Sequence, residues 1–299
     1  MKLTKIAGNT FWIPGPTNVG VFVFKDKYTL LIDSGDNNQD ARLYASILGQ
    51  AELNIKYIIN THEHHDHWGG NHYLREQYPG SVFYASEQTA LFIENSFLFP
   101  LYIYGGNPPP SLVRGVGGTR SAYIDHRLES GTMRINDEKF DIIPLPGHSL
   151  GQTGIATRER VCFLGDALFS PEILDKYGFP FLLDVAQQYQ TMNRILDLPY
   201  DLFVLGHAER IYTADQIPGL VELNRSRLDH CMELLLDLLQ QPKTREELLE
   251  EVIILEDLEP DFHEYCLLHS TIGGMISHLM LNSGLALQLE NGKAYYYQK

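Results

Sequence analysis

The heptapeptide Thr61-His62-Glu63-His64-His65-Asp66-His67 follows an apolar run, Tyr57-Ile58-Ile59, and leads into Gly69-Gly70. Four residues able to hold a metal ion fall within it in the order His-x-His-x-Asp-His. On an extended chain residues two apart point the same way, so His62 and His64 can share one ion. A turn then directs Asp66 and His67 to a neighbouring ion. Imidazole and carboxylate donors without a thiolate suit zinc, manganese or iron. The chain holds 12 histidines, and a lone one is more often packed or exposed than a ligand. A cluster with this spacing is different, because crowded, desolvated imidazoles need a compensating partner. Glu63 and His65 alternate with the ligand-type residues and are expected to point away.

Working outward, three more apolar runs each end in a ligand-type residue beside glycine. Ile142–Leu145 leads into Pro146-Gly147-His148-Ser149, Val161–Leu164 into Gly165-Asp166, and Leu202–Leu205 into Gly206-His207. A core strand is a rigid mount, and glycine lets the backbone turn tightly enough for the side chain to reach the edge. Strand candidates at 19–24, 28–33, 57–60, 82–84, 140–145, 154–157, 161–164 and 202–205 alternate with helical stretches at 40–48, from 87, and at 185–198. Such an order predicts two packed sheets with helices outside.

The set Asp33, His62-x-His64-x-Asp66-His67, His148, Asp166 and His207, in that order, resembles the metallo-β-lactamase superfamily signature. The resemblance spans roughly residues 20–210. It implies an α/β (α+β) fold, the αββα sandwich, with a dinuclear site at one edge. It further implies that His62, His64 and His148 hold one metal, that Asp66, His67 and His207 hold the second, and that Asp166 bridges them. Asp33 would brace the His-rich loop without being a ligand. The cofactors implied are two divalent ions, zinc first, with iron or manganese as alternatives. The implied chemistry is attack by a metal-bridging hydroxide, with Asp66 as the catalytic residue that both ligates and orients the nucleophile. Histidine at 148 and aspartate at 166 favour the hydrolase pattern over the thiolate-containing lactamase site. The substrate class is then a small ester, thioester or lactone, as in glyoxalase II-like and lactonase-like relatives. The competing activities are a phosphodiesterase or ribonuclease, a mononuclear iron persulfide dioxygenase, and a non-catalytic metal-stabilised binding module.

After about residue 218 the texture becomes helical, which divides the chain into a catalytic part, 1–218, and a C-terminal part, 219–299. Helices are expected at 222–240, from Arg245 behind the Thr244/Glu247 capping box, and at 270–282, followed by a hairpin around Asn291-Gly292. The order resembles a small winged-helix module, but residues 219–299 carry six Lys/Arg against fourteen Asp/Glu, a difference of -8, and 270–282 has no cation. A helix that reads a nucleic-acid groove normally supplies phosphate-contacting cations. The formal charge of the whole chain is -15, which repels phosphate backbones and anionic membranes at long range. Nucleic acid and membrane are therefore poor partners, and a small-molecule substrate, with a homodimer as an option, is the better expectation.

The 299 residues are 44% hydrophobic and 20% charged, ordinary globular proportions. Cys162, Cys231 and Cys266 are too sparse for a disulfide framework and suit a reducing, cytoplasmic setting. Residues 97–123 read as a long aromatic, Gly- and Pro-rich loop carrying Arg114 and Arg120, either a substrate lid or an oligomer contact. Tyr177 and Phe179, in the loop after Asp166, are pocket candidates. His72, His126, His230, His263, His269 and His278 lack ligand-type neighbours and read as surface or packing residues.

Overall fold

A computed structural model describes residues 1–117 and 120–299. The first sheet takes its strands in chain order: β1 (Thr4–Ala7), β2 (Thr10–Ile13), β3 (Val19–Val23), β4 (Tyr28–Ile32), β5 (Asn54–Ile59), β6 (Val82–Ala85) and β7 (His126–Arg127). The first four are antiparallel and the rest parallel. Between them run α1 (Asn38–Gln50), α2 (His65–Trp68), α3 (Asn71–Gln77), α4 (Glu87–Glu94), α5 (Leu98–Tyr104) and α6 (Pro110–Gly115). The second sheet contains β8 (Gly131–Ile135), β9 (Glu138–Pro144), β10 (Thr153–Thr157), β11 (Val161–Gly165), β12 (Leu202–Leu205) and β13 (Tyr212–Thr213), with α7 (Pro171–Tyr177) and α8 (Val185–Leu196) inserted between β11 and β12.

The apolar runs become strands buried on both faces because each sheet is covered twice. Trp12, Phe22, Phe24, Leu30 and Ile32 of the first sheet meet Phe140, Ile142, Phe163 and Val204 of the second. Phe22 and Phe140 pack edge to face at 5.0 Å. Truncating either to alanine should cost about 3–5 kcal/mol. On the outer face of the first sheet, Ala41, Tyr44 and Leu48 of α1, Leu74 of α3 and Ile93 of α4 close a second core. Helices cover the outer face of the second sheet as well, completing the αββα order.

The C-terminal part consists of α9 (Ile217–Leu238), α10 (Arg245–Leu255), α11 (Phe262–Asn282) and the hairpin β14 (Leu285–Glu290) and β15 (Lys293–Gln298). The hairpin turn puts Asn291 at φ 49° and Gly292 at φ 78°, the two positive values that an Asn-Gly type I′ turn requires. Thr244 and Glu247 form the expected reciprocal cap. Two helices start earlier than their apolar periodicity suggests. α9 begins at Ile217, because Pro218 is tolerated in a first turn, and α11 begins at Phe262 behind an Asp261/Glu264 capping box. Leu228, Cys231, Met232 and Leu235 of α9, Leu248 and Val252 of α10, and Ile272, Met275 and Ile276 of α11 share one apolar core with Leu145, Leu164, Phe203 and Leu205 of the second sheet.

The 97–123 stretch is not a bare loop. Its prolines and glycines bracket α5 and α6, whose Phe99, Ile103 and Leu112 pack with Val116 against Cys266 of α11. Residues 118 and 119 of that stretch lie outside the described residues. Among the described residues, no helix is long and apolar enough to cross a membrane.

Candidate metal centre

Strand ends deliver the ligand-type side chains to one edge of the sandwich. β4 ends immediately before Asp33, β5 three residues before His62, β9 four before His148, and β12 two before His207; Asp166 follows the last residue of β11. The glycines beside them are required by crowding. A Cβ on Gly206 would lie 2.1 Å from Asp166 Oδ1 and 2.8 Å from His67 Cε1. Gly147 has φ +140° and lies against the Gln188 backbone, so a side chain there would both strain the turn and collide.

Three overlapping groups of donors form, with the donor atoms of each within 4.8 Å of one another: His62, His64 and His148; His62, His67 and Asp166; and Asp66, His67 and His207. In the first, His64 Nδ1 is 3.1 Å from His62 Nε2 and 2.8 Å from His148 Nε2. In the third, Asp66 Oδ2 lies 3.0 Å from His207 Nε2 and 3.4 Å from His67 Nε2. Asp166 sits between them, its Oδ2 3.7 Å from His148 Nε2 and 3.4 Å from His207 Nε2, and its Oδ1 3.4 Å from His67 Nε2. All seven sequence-predicted site residues therefore meet in one place.

Protonation divides the cluster. Burial, with the neighbouring imidazoles, holds His62 and His64 well below the ordinary histidine value, and burial lowers His148 as well. Burial alone would lower His67 too, but Asp66, Asp166 and Asp33 outweigh it and raise that ring well above its ordinary value. His207 is raised against its burial by Asp166 and Asp66. Burial would raise both carboxyls; instead His67 and His207 hold Asp66 and Asp166 well below the usual carboxylate range.

The outer nitrogens are anchored with care. Asp33, at φ 68°, accepts from Thr61 N at 2.8 Å and Thr61 Oγ1 at 2.9 Å, and from His67 Nδ1 at 2.7 Å. His62 Nδ1 is 3.1 Å from Thr61 Oγ1, His148 Nδ1 donates to the Phe181 carbonyl at 3.0 Å, and His207 Nδ1 donates to the Pro16 carbonyl at 2.6 Å. His64 Nε2 is buried with no hydrogen-bond partner; its ring lies edge-on to Phe99 and Phe181 instead. His67 Nε2 and Asp166 Oδ1 are likewise buried without partners. His67 Nε2 and Asp166 Oδ1, buried, unpaired and 3.4 Å apart, fit a divalent cation, with borderline and hard donors and no sulfur.

The alternating residues do turn away, though not equally. His65 Nδ1 lies 3.2 Å from Asp36, and its ring packs on Trp68. Glu63 is buried, with Thr89 Oγ1 3.5 Å from its carboxylate, and burial raises its carboxyl. Phe179 is buried in the C-terminal core rather than lining the site, and Tyr177 is exposed. Phe181, two residues further on, reaches the site, as does Phe99 of α5. The segment Pro14-Gly15-Pro16-Thr17-Asn18 is a further contributor that the sequence alone does not flag. Thr17 Oγ1 donates to Asp66 Oδ2 at 3.2 Å, and Asn18 Nδ2 donates to the Leu205 and Ala208 carbonyls at 3.0 and 2.8 Å, fastening the segment to the end of β12. Its only signal in the sequence is a pair of prolines before a strand. His72, His230 and His263 pair with Glu76, Glu256 and Asp261, and His126 stacks near Tyr84, all outside the donor groups.

Residues 12–207 match the family model of the metallo-beta-lactamase superfamily. Hydroxyacylglutathione hydrolase of Vibrio cholerae is 29% identical over 203 residues, covering 65% of this chain and 65% of the relative's length. The Aliivibrio fischeri protein of the same name is 26% identical over 200 residues with the same coverage. A metallo-beta-lactamase family protein of Thermus thermophilus shares the fold with a TM-score of 0.75 at 18% identity, over 97% of this chain and 99% of its own. A beta-lactamase domain protein of Burkholderia ambifaria gives 0.74 at 16%, over 99% and 93%.

Proposed function

The chain belongs to the metallo-beta-lactamase superfamily, and from that premise we propose that it is a dinuclear metal-dependent hydrolase of small esters, thioesters or lactones. The observation that carries this reading is the pair of donor groups joined by one carboxylate, Asp166, with no thiolate in either. His62, His64 and His148 would hold one ion and Asp66, His67 and His207 the other, with Asp166 reaching both. Zinc suits the donors best. When bound, two such ions lower the pKa of a water towards neutrality and polarise the scissile oxygen.

The protein's own groups do the rest. Asp33 fixes the His67 tautomer by accepting a hydrogen bond from its Nδ1–H, so Nε2 faces inward as a lone-pair donor once its own proton is lost. The Pro16 carbonyl does the same for His207 and the Phe181 carbonyl for His148. Asp66 Oδ2, steered by the Thr17 hydroxyl, would orient the nucleophile. The relatives named for a glutathione thioester support the choice of thioester and ester substrates. We further propose that residues 1–218 carry the chemistry and that 219–299 buttress it, in a cytoplasmic enzyme with no nucleic-acid role.

Metal analysis of the purified protein, coupled to an ester, thioester and lactone panel with and without chelator, tests this. Two equivalents of divalent ion and turnover abolished by chelator are expected. His62→Ala should lower both metal content and rate; unchanged metal content would overturn the ligand assignment.

A further inference from the structure

The two sides of the site have different walls. On the Asp66 side the neighbours are polar: the Thr17 hydroxyl and the Pro16 carbonyl. On the His64/His148 side they are aromatic. Phe181 meets His64 at 5.2 Å and His148 at 5.6 Å, and Phe169 meets His148 at 5.5 Å. Phe99 backs them, 5.0 Å from His64 and 6.5 Å from Phe181. Phe169 and Phe181 are half-buried, while Phe99 is buried.

These rings are held rather than draped. The Phe181 carbonyl accepts from His148 Nδ1, so one residue both anchors a ligand and presents a ring. The next amide, Leu182 N, donates to Thr271 Oγ1 of α11 at 3.2 Å. Phe99 is clamped through α5 against Cys266 and Leu267 of the same helix. Behind Phe169 lies a crevice lined by Leu174, Leu182, Met192 and Met275 with no charged side chain.

We propose that Phe169 and Phe181, backed by Phe99, are specificity-determining residues that select a substrate with an uncharged, apolar group beside its scissile bond. An apolar group resting there leaves water for aromatic surface, whereas a second charged group, a carboxylate or phosphate pressed on the rings, would lose hydration to side chains that offer it no hydrogen-bond donor. The hydrolase of the glutathione-thioester kind suggested by the relatives would need the opposite, a place for an anionic carrier. The inference rests on the hydrolytic reading above but is tested separately from it.

The test uses metal-loaded full-length protein. Straight-chain carboxylates from acetate to octanoate are titrated calorimetrically, and kcat/KM is measured for acyl esters of the same lengths and for a hydroxyacyl-glutathione thioester. Affinity and kcat/KM should each rise roughly threefold per methylene over the first few steps. Phe181→Ala and Phe169→Ala should flatten both slopes while two ions remain bound. Where an alanine variant fails to fold, Phe181→Leu keeps most of the volume and should show a shallower slope. A flat carboxylate series, a slope untouched by these substitutions, or preference for the glutathione thioester over the apolar esters would overturn the proposal. Absence of turnover on every ester would sink the hydrolytic reading alone, because carboxylate binding would still decide what the wall accepts.

Discussion

Two halves of one site, a few ångströms apart, solve the same problem in opposite ways. Around His62, His64 and His148 the protein buries three imidazoles together and leaves them neutral, with aromatic rings outside. Around Asp66, His67 and His207 it interleaves carboxylates, so that each imidazole is held in its charged form. The first half is ready to donate lone pairs and pays for that in desolvation. The second is internally neutralised and must give up protons before a cation can enter. Like chemistry in the sequence therefore yields unlike electrostatics, because sheet geometry decides which carboxylate reaches which ring.

The sharpest way to break the comparison is to remove what the halves share. Asp166→Ala should reduce the rate by at least about 10²-fold, the scale of losing one well-placed electrostatic group, and should empty both halves in a metal assay. If His148→Ala and His207→Ala each retain one equivalent of ion, the halves are separable; loss of both ions from either would show one indivisible site. Asp33→Asn leaves every ligand in place but weakens the hold on His67, so metal affinity should fall about 10–100-fold, read by competition with a chromophoric chelator.

Proton counting sharpens the contrast further. His67 and His207 are raised and therefore protonated near neutrality, so filling their half releases protons, and affinity there should fall as pH drops. His62, His64 and His148 are lowered and already neutral, so filling theirs should release almost none. Calorimetry in buffers of different ionisation enthalpy should find fewer protons released by His207→Ala than by the natural protein. The smallest effect is expected at Thr17. Thr17→Val should lower kcat about tenfold through the misaligned Asp66, and Thr17→Ser, which keeps the hydroxyl, should restore most of it.

Much of this site is legible in the residues alone, for a physical reason. His62, His64, Asp66 and His67 are close in sequence, and His148, Asp166 and His207 each follow shortly after an apolar strand, so periodicity and composition both mark them. Pro16 and Thr17 are silent because one contributes a backbone carbonyl and the other a short hydroxyl, neither of which leaves a spacing rule. The aromatic wall is hidden for a different reason. Phe99 sits in Leu98-Phe99-Pro100-Leu101, where the proline argues for a loop until its place in the first turn of α5 is seen. Phe181 and Phe179 alternate in an irregular segment, and only packing against α11 decides that Phe179 turns into the core and Phe181 toward His148. The start of α11 at Phe262 was readable from the Asp261/Glu264 pair, which outranks the apolar periodicity that suggests Ser270.

The apolar core that runs without a break from β11 and β12 into α9, α10 and α11 has a thermodynamic consequence. Leu164 and Leu205 lie beneath the strand ends that carry Asp166 and His207, and the same cluster includes Leu235 and Ile276. Heat should therefore melt the polypeptide in a single calorimetric peak, and a chain ended at residue 218 should expose that greasy underside and aggregate.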